Sequence, residues 1–307
     1  MGGNFFPGRP LSSRWKKNAG SPGFEGSQPV VVPVEARFSL SQITTYHSSL
    51  TEEIPAVAEA GFDGIGLWRT KLLDQNDEAV AARLREFGLK GTSLSFAGGF
   101  TGSLGFSYEE ALEDAREAVR QTARLGVETL ILVTGGRNGH TMRHCRRTVK
   151  EALWLLADEA GDCGVRVALL PMHARFQAES TFLHGLDDTL GLLDELSHPH
   201  TGLVFDSAQL WDTPELLSRI PQIAPRTFVV QLTDSPVDPR ANLDRCLPGR
   251  GTLPLTEIVQ QFLSHGYQGL FDIQVWSEAV WRMSQTEVIS ACNVFQQSIP
   301  TTVVRYA

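Results

Sequence analysis

Thr201-Gly-Leu-Val-Phe-Asp-Ser-Ala-Gln-Leu-Trp211 is the stretch on which the fold turns. Five residues suited to a buried strand lead to Asp206, followed by a short polar turn with Gln209 and then Trp211. An apolar strand that delivers a carboxylate at its C-terminal end is how an α/β barrel presents chemistry. The questions this raises are what Asp206 faces, and whether enough partners converge on it to hold a metal.

Outward from that strand one rhythm repeats: a short β-rich run, a turn, then a longer amphipathic stretch. The runs are 37–42, 64–68, 91–96, 129–134, 165–171, 202–206, 227–233 and 270–276. Strands alternating with helical patterns indicate parallel β-α units, and this number of them predicts a closed (β/α)8 TIM barrel of the α/β class. Ser107-Tyr-Glu-Glu110 has the pattern of a capping box, with the stripe Ala111, Leu112, Ala115, Ala118, Val119, Leu125 behind it and Gly126 as the stop. Thr51 before Glu52 and Glu53 is a second expected N-cap.

Side chains alternate faces along a strand. Phe38 and Leu40 therefore oppose Ser39 and Ser41, Ile65 and Leu67 oppose Gly64, Gly66 and Trp68, and Leu94 and Phe96 oppose Ser93, Ser95 and Ala97. The large apolar set is expected to meet the helices, leaving small and polar side chains inside. Bulkier strands opposite would fill the remaining space.

Composition narrows the function classes. The chain has 307 residues and a formal net charge of −8, which disfavours a nucleic-acid backbone partner. No apolar run approaches the roughly 18 residues that span a bilayer, so no membrane partner is expected. Cys145, Cys163, Cys246 and Cys292 are scattered without C-x-x-C spacing, which suggests a reducing, cytoplasmic setting and no cysteine zinc site. Residues 1–35, rich in Gly and Pro, read as a flexible tail, and residues 36–307 as a single barrel domain. Assembly of identical copies is compatible with the sequence.

A barrel's site is built at the C-terminal ends of its strands. Residues there include Trp68, Arg69 and Lys71, the 134–140 loop ending in His140, and Leu170 with His173. Further round come Asp206, Gln209 and Trp211, then Gln231 and Asp234, then Gln274 and Trp276. A glycine-punctuated loop, Asp244-Arg-Cys-Leu-Pro-Gly-Arg-Gly251, carries Arg245. The tryptophans and basic residues have plainer readings, as packing and as solvated surface, whereas His140 and His173 sit on loops rather than helix faces, which favours a site role. No nucleotide-binding glycine motif is complete.

Several segments, taken in order, resemble the sugar phosphate isomerase/epimerase superfamily of xylose isomerase-like barrels. They are Ala60-Gly-Phe-Asp-Gly-Ile-Gly-Leu-Trp68, Leu169-Leu-Pro-Met-His173, Gly202-Leu-Val-Phe-Asp206, Val230-Gln-Leu-Thr-Asp234, Pro248-Gly-Arg-Gly251 and Gly266-Tyr-Gln-Gly269 with Gln274. The resemblance implies a divalent metal held by Glu, Asp, His and Glu from the last four strands, with the glutamates also moving protons. Carried over, those positions hold Leu170, Asp206, Gln231 and Gln274, and a further family His falls on Gln209. The usual set brings three negative charges to a hard cation, whereas this one brings a single charge, and Leu170 donates nothing. Gln is a weak neutral ligand and not a general base.

The expectation is therefore a degenerate metal site with no tight divalent metal and no cofactor. Asp206 and His173 are the candidate catalytic acid/base groups. Trp68, Lys71, His140, Gln209, Gln231, Arg245, Gln274 and Trp276 are the candidate contacts to a small sugar-like or hydroxylated ligand. Two readings stay open: an atypical metal-independent isomerase, epimerase or lyase, and a non-catalytic ligand-binding or scaffold protein on the same barrel. A DNA-repair nuclease, which shares the superfamily, would need a basic surface and ligand-rich strands that this sequence lacks.

Overall fold

The computed structural model describes residues 29–176, 180–236 and 244–306. Ten strands lie among them: β1 (Pro29–Pro33), β2 (Phe38–Ser41), β3 (Gly64–Trp68), β4 (Lys90–Gly98), β5 (Thr129–Val133), β6 (Arg166–Leu169), β7 (Thr201–Asp206), β8 (Thr227–Leu232), β9 (Phe271–Ile273) and β10 (Thr302–Tyr306). Strands β2 to β9 close in sequence order into a parallel eight-stranded barrel, as the alternating pattern requires.

The helices that follow these strands are α1 (Leu50–Glu59), α2 (Asp77–Glu86), α3 (Tyr108–Arg124), α4 (Met142–Asp162), α5 (Gly185–Leu196), α6 (Leu216–Ile223), α7 (Leu255–Ser264), α8 (Glu278–Trp281) and α9 (Gln285–Ser298). The Ser107–Glu110 capping box opens α3 as expected: Ser107 Oγ accepts from Glu110 N, and Glu110 accepts from Ser107 N. The N-cap of α1 is Ser49 rather than Thr51, with Glu52 accepting from the Ser49 hydroxyl at 2.7 Å. The helix starts two residues early because Ser49 has its own capping partner three residues on.

The expected face rule holds with one correction. Phe38, Leu40, Ile65, Leu67 and Leu94 enter the large core between barrel and helices. The interior is divided in two. Ile131, Ala168, Leu170, Val204 and Val229 form a separate apolar cluster on one side. Buried Ser39, Ser41, Ser93, Ser95, Asp272, Gln231 and Gln274 supply the polar side. Phe96 packs against the interior cluster and Ala97 against the outer core, so Phe96 does not share a face with Leu94. A register shift between Ser95 and Ala97 in the β4–β5 pairing reverses the alternation there.

Part of the segment expected as a tail, residues 29–33, is a strand. Residues 1–28 lie outside the described residues, but β1 pairs antiparallel with β10, from Pro29 opposite Tyr306 to Pro33 opposite Thr302. The β-branched run Val30–Val32 finds its partner at the other end of the chain, where no local signal points to it.

Candidate functional site

Asp234, just past the end of β8, is the anchor from which the mouth is assembled. Its backbone forms a two-way bridge with Cys246 (3.2 and 3.0 Å), and its carboxylate accepts from the N–H groups of Gly249 (3.0 Å), Gly251 (2.9 Å) and Leu253 (3.0 Å). A Cβ on Gly251 would stand 2.3 Å from Asp234 Oδ1, so only glycine lets the loop close this tightly. Burial, then the charges of Asp234 and Asp244, pushes the Cys246 thiol up to about 12, which leaves it an inert packing group. The bridge fixes the neighbouring Arg245 so that its side chain points into the barrel.

Arg245 Nη1 donates to Asp206 Oδ2 and to Gln274 Oε1, both at 3.1 Å. The other Asp206 oxygen accepts from the backbone N–H groups of Ala208 (2.9 Å) and Gln209 (3.0 Å), which turns the chain after β7. The carboxylate is 1% exposed and holds three donors. Asp206 is therefore an orienting group for the guanidinium, with three of its roughly four lone-pair sites engaged. Arg245 Nη2 and Nε have no protein partner among the described residues.

The positions implied for metal ligands do not fit a divalent ion. Leu170 belongs to the apolar interior cluster. Asp206 and Gln274 share a cationic guanidinium, and Gln231 is neutral. Among the described residues no group of three or more His, Cys, Asp or Glu is placed to hold a metal. Among the described residues the buried Gln231 Oε1 and Asp272 Oδ2 atoms have no hydrogen-bond partner. Asp272, two residues before Gln274 and not anticipated from the sequence, accepts from Ser39 Oγ at 2.8 Å. Burial pushes its carboxyl up to about 6, against hydrogen bonds from Ser39 and Gln231.

His173 lies across the mouth. Its Nε2 is 3.1 Å from Asp212 Oδ2, Nδ1 takes a long 3.3 Å bond from Arg175 N, and the ring stacks on Trp211 at 6.0 Å. Gln209 reaches back to accept from His173 N at 2.8 Å, so it holds the loop and does not itself project into the open mouth. Four rings form the rim: Tyr46–Trp281 at 4.5 Å, Tyr46–Trp68 at 5.2 Å, Trp276–Trp281 at 5.5 Å and Trp68–Trp276 at 6.1 Å. Tyr46, in the loop after β2, and Trp281, the last residue of α8, join this rim with no sequence motif to mark them.

Two expected contacts are placed elsewhere. Lys71 is buried against Glu53 (3.2 Å) and the Thr45 carbonyl (2.7 Å), out of reach of a ligand in the mouth. His140 lies 4.6 Å from the ring of His144 in a side cleft of about 530 Å³ that also involves Phe106, Tyr108 and Glu151. No helix among the described residues is long and apolar enough to cross a membrane.

With this geometry in hand, comparison with known proteins identifies its relatives. The chain is 24% identical over 240 residues to a 3-dehydroshikimate dehydratase of Pseudomonas putida, covering 75% of this chain and 36% of that protein. It thus spans about a third of the length of that relative. A solved protein from Sinorhizobium meliloti is 25% identical, with a TM-score of 0.79 over 85% of this chain and 98% of its own. The IolI protein, solved with a bound zinc atom, shares the fold at 17% identity, with a TM-score of 0.74 over 86% of this chain and 97% of its own. Residues 54–295 match the xylose isomerase-like TIM barrel family as a whole. The chain belongs to that family.

Proposed function

We propose that the barrel mouth binds a small hydroxylated ligand with an anionic end, and acts on it as an isomerase, epimerase or lyase without a divalent metal. The observation that carries this reading is the Arg245 guanidinium, set between Asp206 and Gln274 at 3.1 Å from each. It puts a fixed positive charge on the polar side of the mouth, and its Nη2 and Nε edge, unpartnered among the described residues, suits a carboxylate or a pair of hydroxyls. Asp206 and Gln274 orient it. Where a negative charge develops on a substrate oxygen, a preorganised guanidinium stabilises it electrostatically, as oxyanion donors do. His173, oriented by Asp212, is the group at the mouth best placed to move a proton.

The name of the Pseudomonas putida relative makes 3-dehydroshikimate the first compound to try and a lyase the first reaction class. Binding is measured by thermal shift with 3-dehydroshikimate and a panel of sugar acids, followed by product analysis on each compound that binds. Arg245→Gln should abolish binding, while His173→Asn should abolish turnover and spare binding. Ligands that bind equally well to Arg245→Gln would exclude this site.

One feature favours a non-catalytic protein. The positions that carry proton-transfer glutamates in the family hold Leu170 and Gln274 here, and Asp206 is paired with the Arg245 guanidinium and two backbone N–H groups. Binding of the panel with no product from any compound would support that second reading.

A further inference from the structure

Residues 42–44 of the loop after β2 each hold a part of the aromatic rim. Gln42 Oε1 accepts from Trp68 N at 2.9 Å. The Ile43 carbonyl accepts from Trp281 Nε1 at 2.8 Å. Thr44 Oγ1 donates to the Ile273 carbonyl at 3.0 Å and accepts from Val275 N at 2.9 Å, fixing the strand end that carries Gln274 and Trp276. Thr45 precedes Tyr46, whose ring stacks on Trp281.

That loop is in turn held from behind by one buried ion pair. Lys71 Nζ donates to the Thr45 carbonyl at 2.7 Å and to the two Glu53 oxygens at 3.3 and 3.2 Å. Glu53 also accepts from Gln42 Nε2 at 3.0 Å and from the Thr45 hydroxyl. All three ammonium donors have acceptors, so Lys71 is a fixed cation and not a free nucleophile. The pair joins α1, the loop after β2 and the turn after β3. Burial opposes both charges, raising the Glu53 carboxyl and lowering the Lys71 ammonium. A pair that is expensive to desolvate gains little stability for the fold, and a defined geometry is the better-attested return.

We propose that Glu53 and Lys71 are positioning residues, whose buried pair holds Tyr46, Trp68, Trp276 and Trp281 as a preformed stacking subsite for a cyclic ligand. Trp276 is 48% exposed and Tyr46 37%, so the rim leaves aromatic surface open for a ligand ring. Trp276 follows Gln274, the acceptor of the Arg245 guanidinium, by two residues in the segment after β9. A ring with its polar end on Arg245 therefore lies along the aromatic faces. This inference rests on the mouth being the ligand site.

Two readouts test it. Trp pairs at these separations give an exciton couplet in circular dichroism, calibrated by its loss in Trp276→Phe. The double variant Glu53→Gln/Lys71→Met removes both buried charges and leaves neither orphaned. It should fold, lose most of the couplet, and bind the cyclic hydroxy acid quinate roughly three- to tenfold more weakly. Binding of the open-chain gluconate should not change, and half-exposed Trp276→Leu should show the same ring-selective loss. A folded double variant with the full wild-type couplet would overturn the positioning role, even if its melting temperature fell. Wild-type protein that binds gluconate as well as quinate, or a Trp276→Leu variant that binds quinate normally, would overturn the subsite and leave the mouth as a ligand site. Failure of both acids to bind the wild-type chain would overturn the subsite and the mouth reading together.

Discussion

Arg245 meets an Asp206 carboxylate that is 1% exposed, while its own side chain is 11% exposed, so the pair lies in a largely water-excluded place. Removing one partner of such a pair leaves the other charge uncompensated. Arg245→Gln should lower unfolding free energy by about 3 kcal/mol, and adding Asp206→Asn should recover much of that loss. A denaturant-based double-mutant cycle with no coupling between the two sites would count against the contact. Asp272 gives a prediction with a sign in pH. Its folded value, about 6, lies above the ordinary carboxylate value because of burial. The protonated form is thus favoured by the fold: the stabilisation is complete below about pH 4 and is lost as pH rises through 6. Ionised Asp272 costs the fold roughly 3 kcal/mol at neutral pH on this reasoning. Melting temperatures of Asp272→Asn should therefore gain on those of the wild type as pH rises from 4 to 8, and a pH-independent difference would contradict the assignment.

At the scale of elements, the loop around Asp234 is the part that makes the site. Gly251→Ala would place a Cβ 2.1 Å from the Ser235 carbonyl and 2.3 Å from Asp234 Oδ1, both atoms held in position. The loop must move, at a stability cost of roughly 1–3 kcal/mol, and ligand affinity should fall with the displaced Arg245. Thermal melts and binding titrations check both; an unchanged affinity would mean that Arg245 is placed by something else. The Asp234 and Pro248-Gly-Arg-Gly251 signals were readable in the sequence because turn chemistry is local. So were the strands, whose periodicity is also local. The reversed face of Phe96 was not, because a register shift depends on the neighbouring strand. The same holds for β1 with β10, which join opposite ends of the chain.

Across the whole molecule, the barrel interior separates an apolar half, with Leu170, Val204 and Val229, from a polar half centred on Asp206, Gln231, Asp272 and Gln274. Alternation made the small and polar inner set visible for the early strands. The changes at three of the four ligand positions that the resemblance implies, Leu170, Gln231 and Gln274, with Asp206 kept, were visible in the sequence. What they surround was not: that Arg245 reaches between Asp206 and Gln274 depends on a bridge between Asp234 and Cys246, residues with no shared local pattern. The burial of Lys71 was hidden for the same reason, since its partner Glu53 lies on a different helix and reads as an ordinary first-turn acid. The proposed function requires that the Arg245 guanidinium take the place of a divalent ion at this mouth. Calorimetric titration of the wild-type protein and Asp206→Asn with Mn²⁺ and Zn²⁺ tests it most directly. The expected result is weak uptake that Asp206→Asn leaves unchanged, with ligand binding insensitive to chelator. Tight, stoichiometric metal binding that disappears in Asp206→Asn would contradict it.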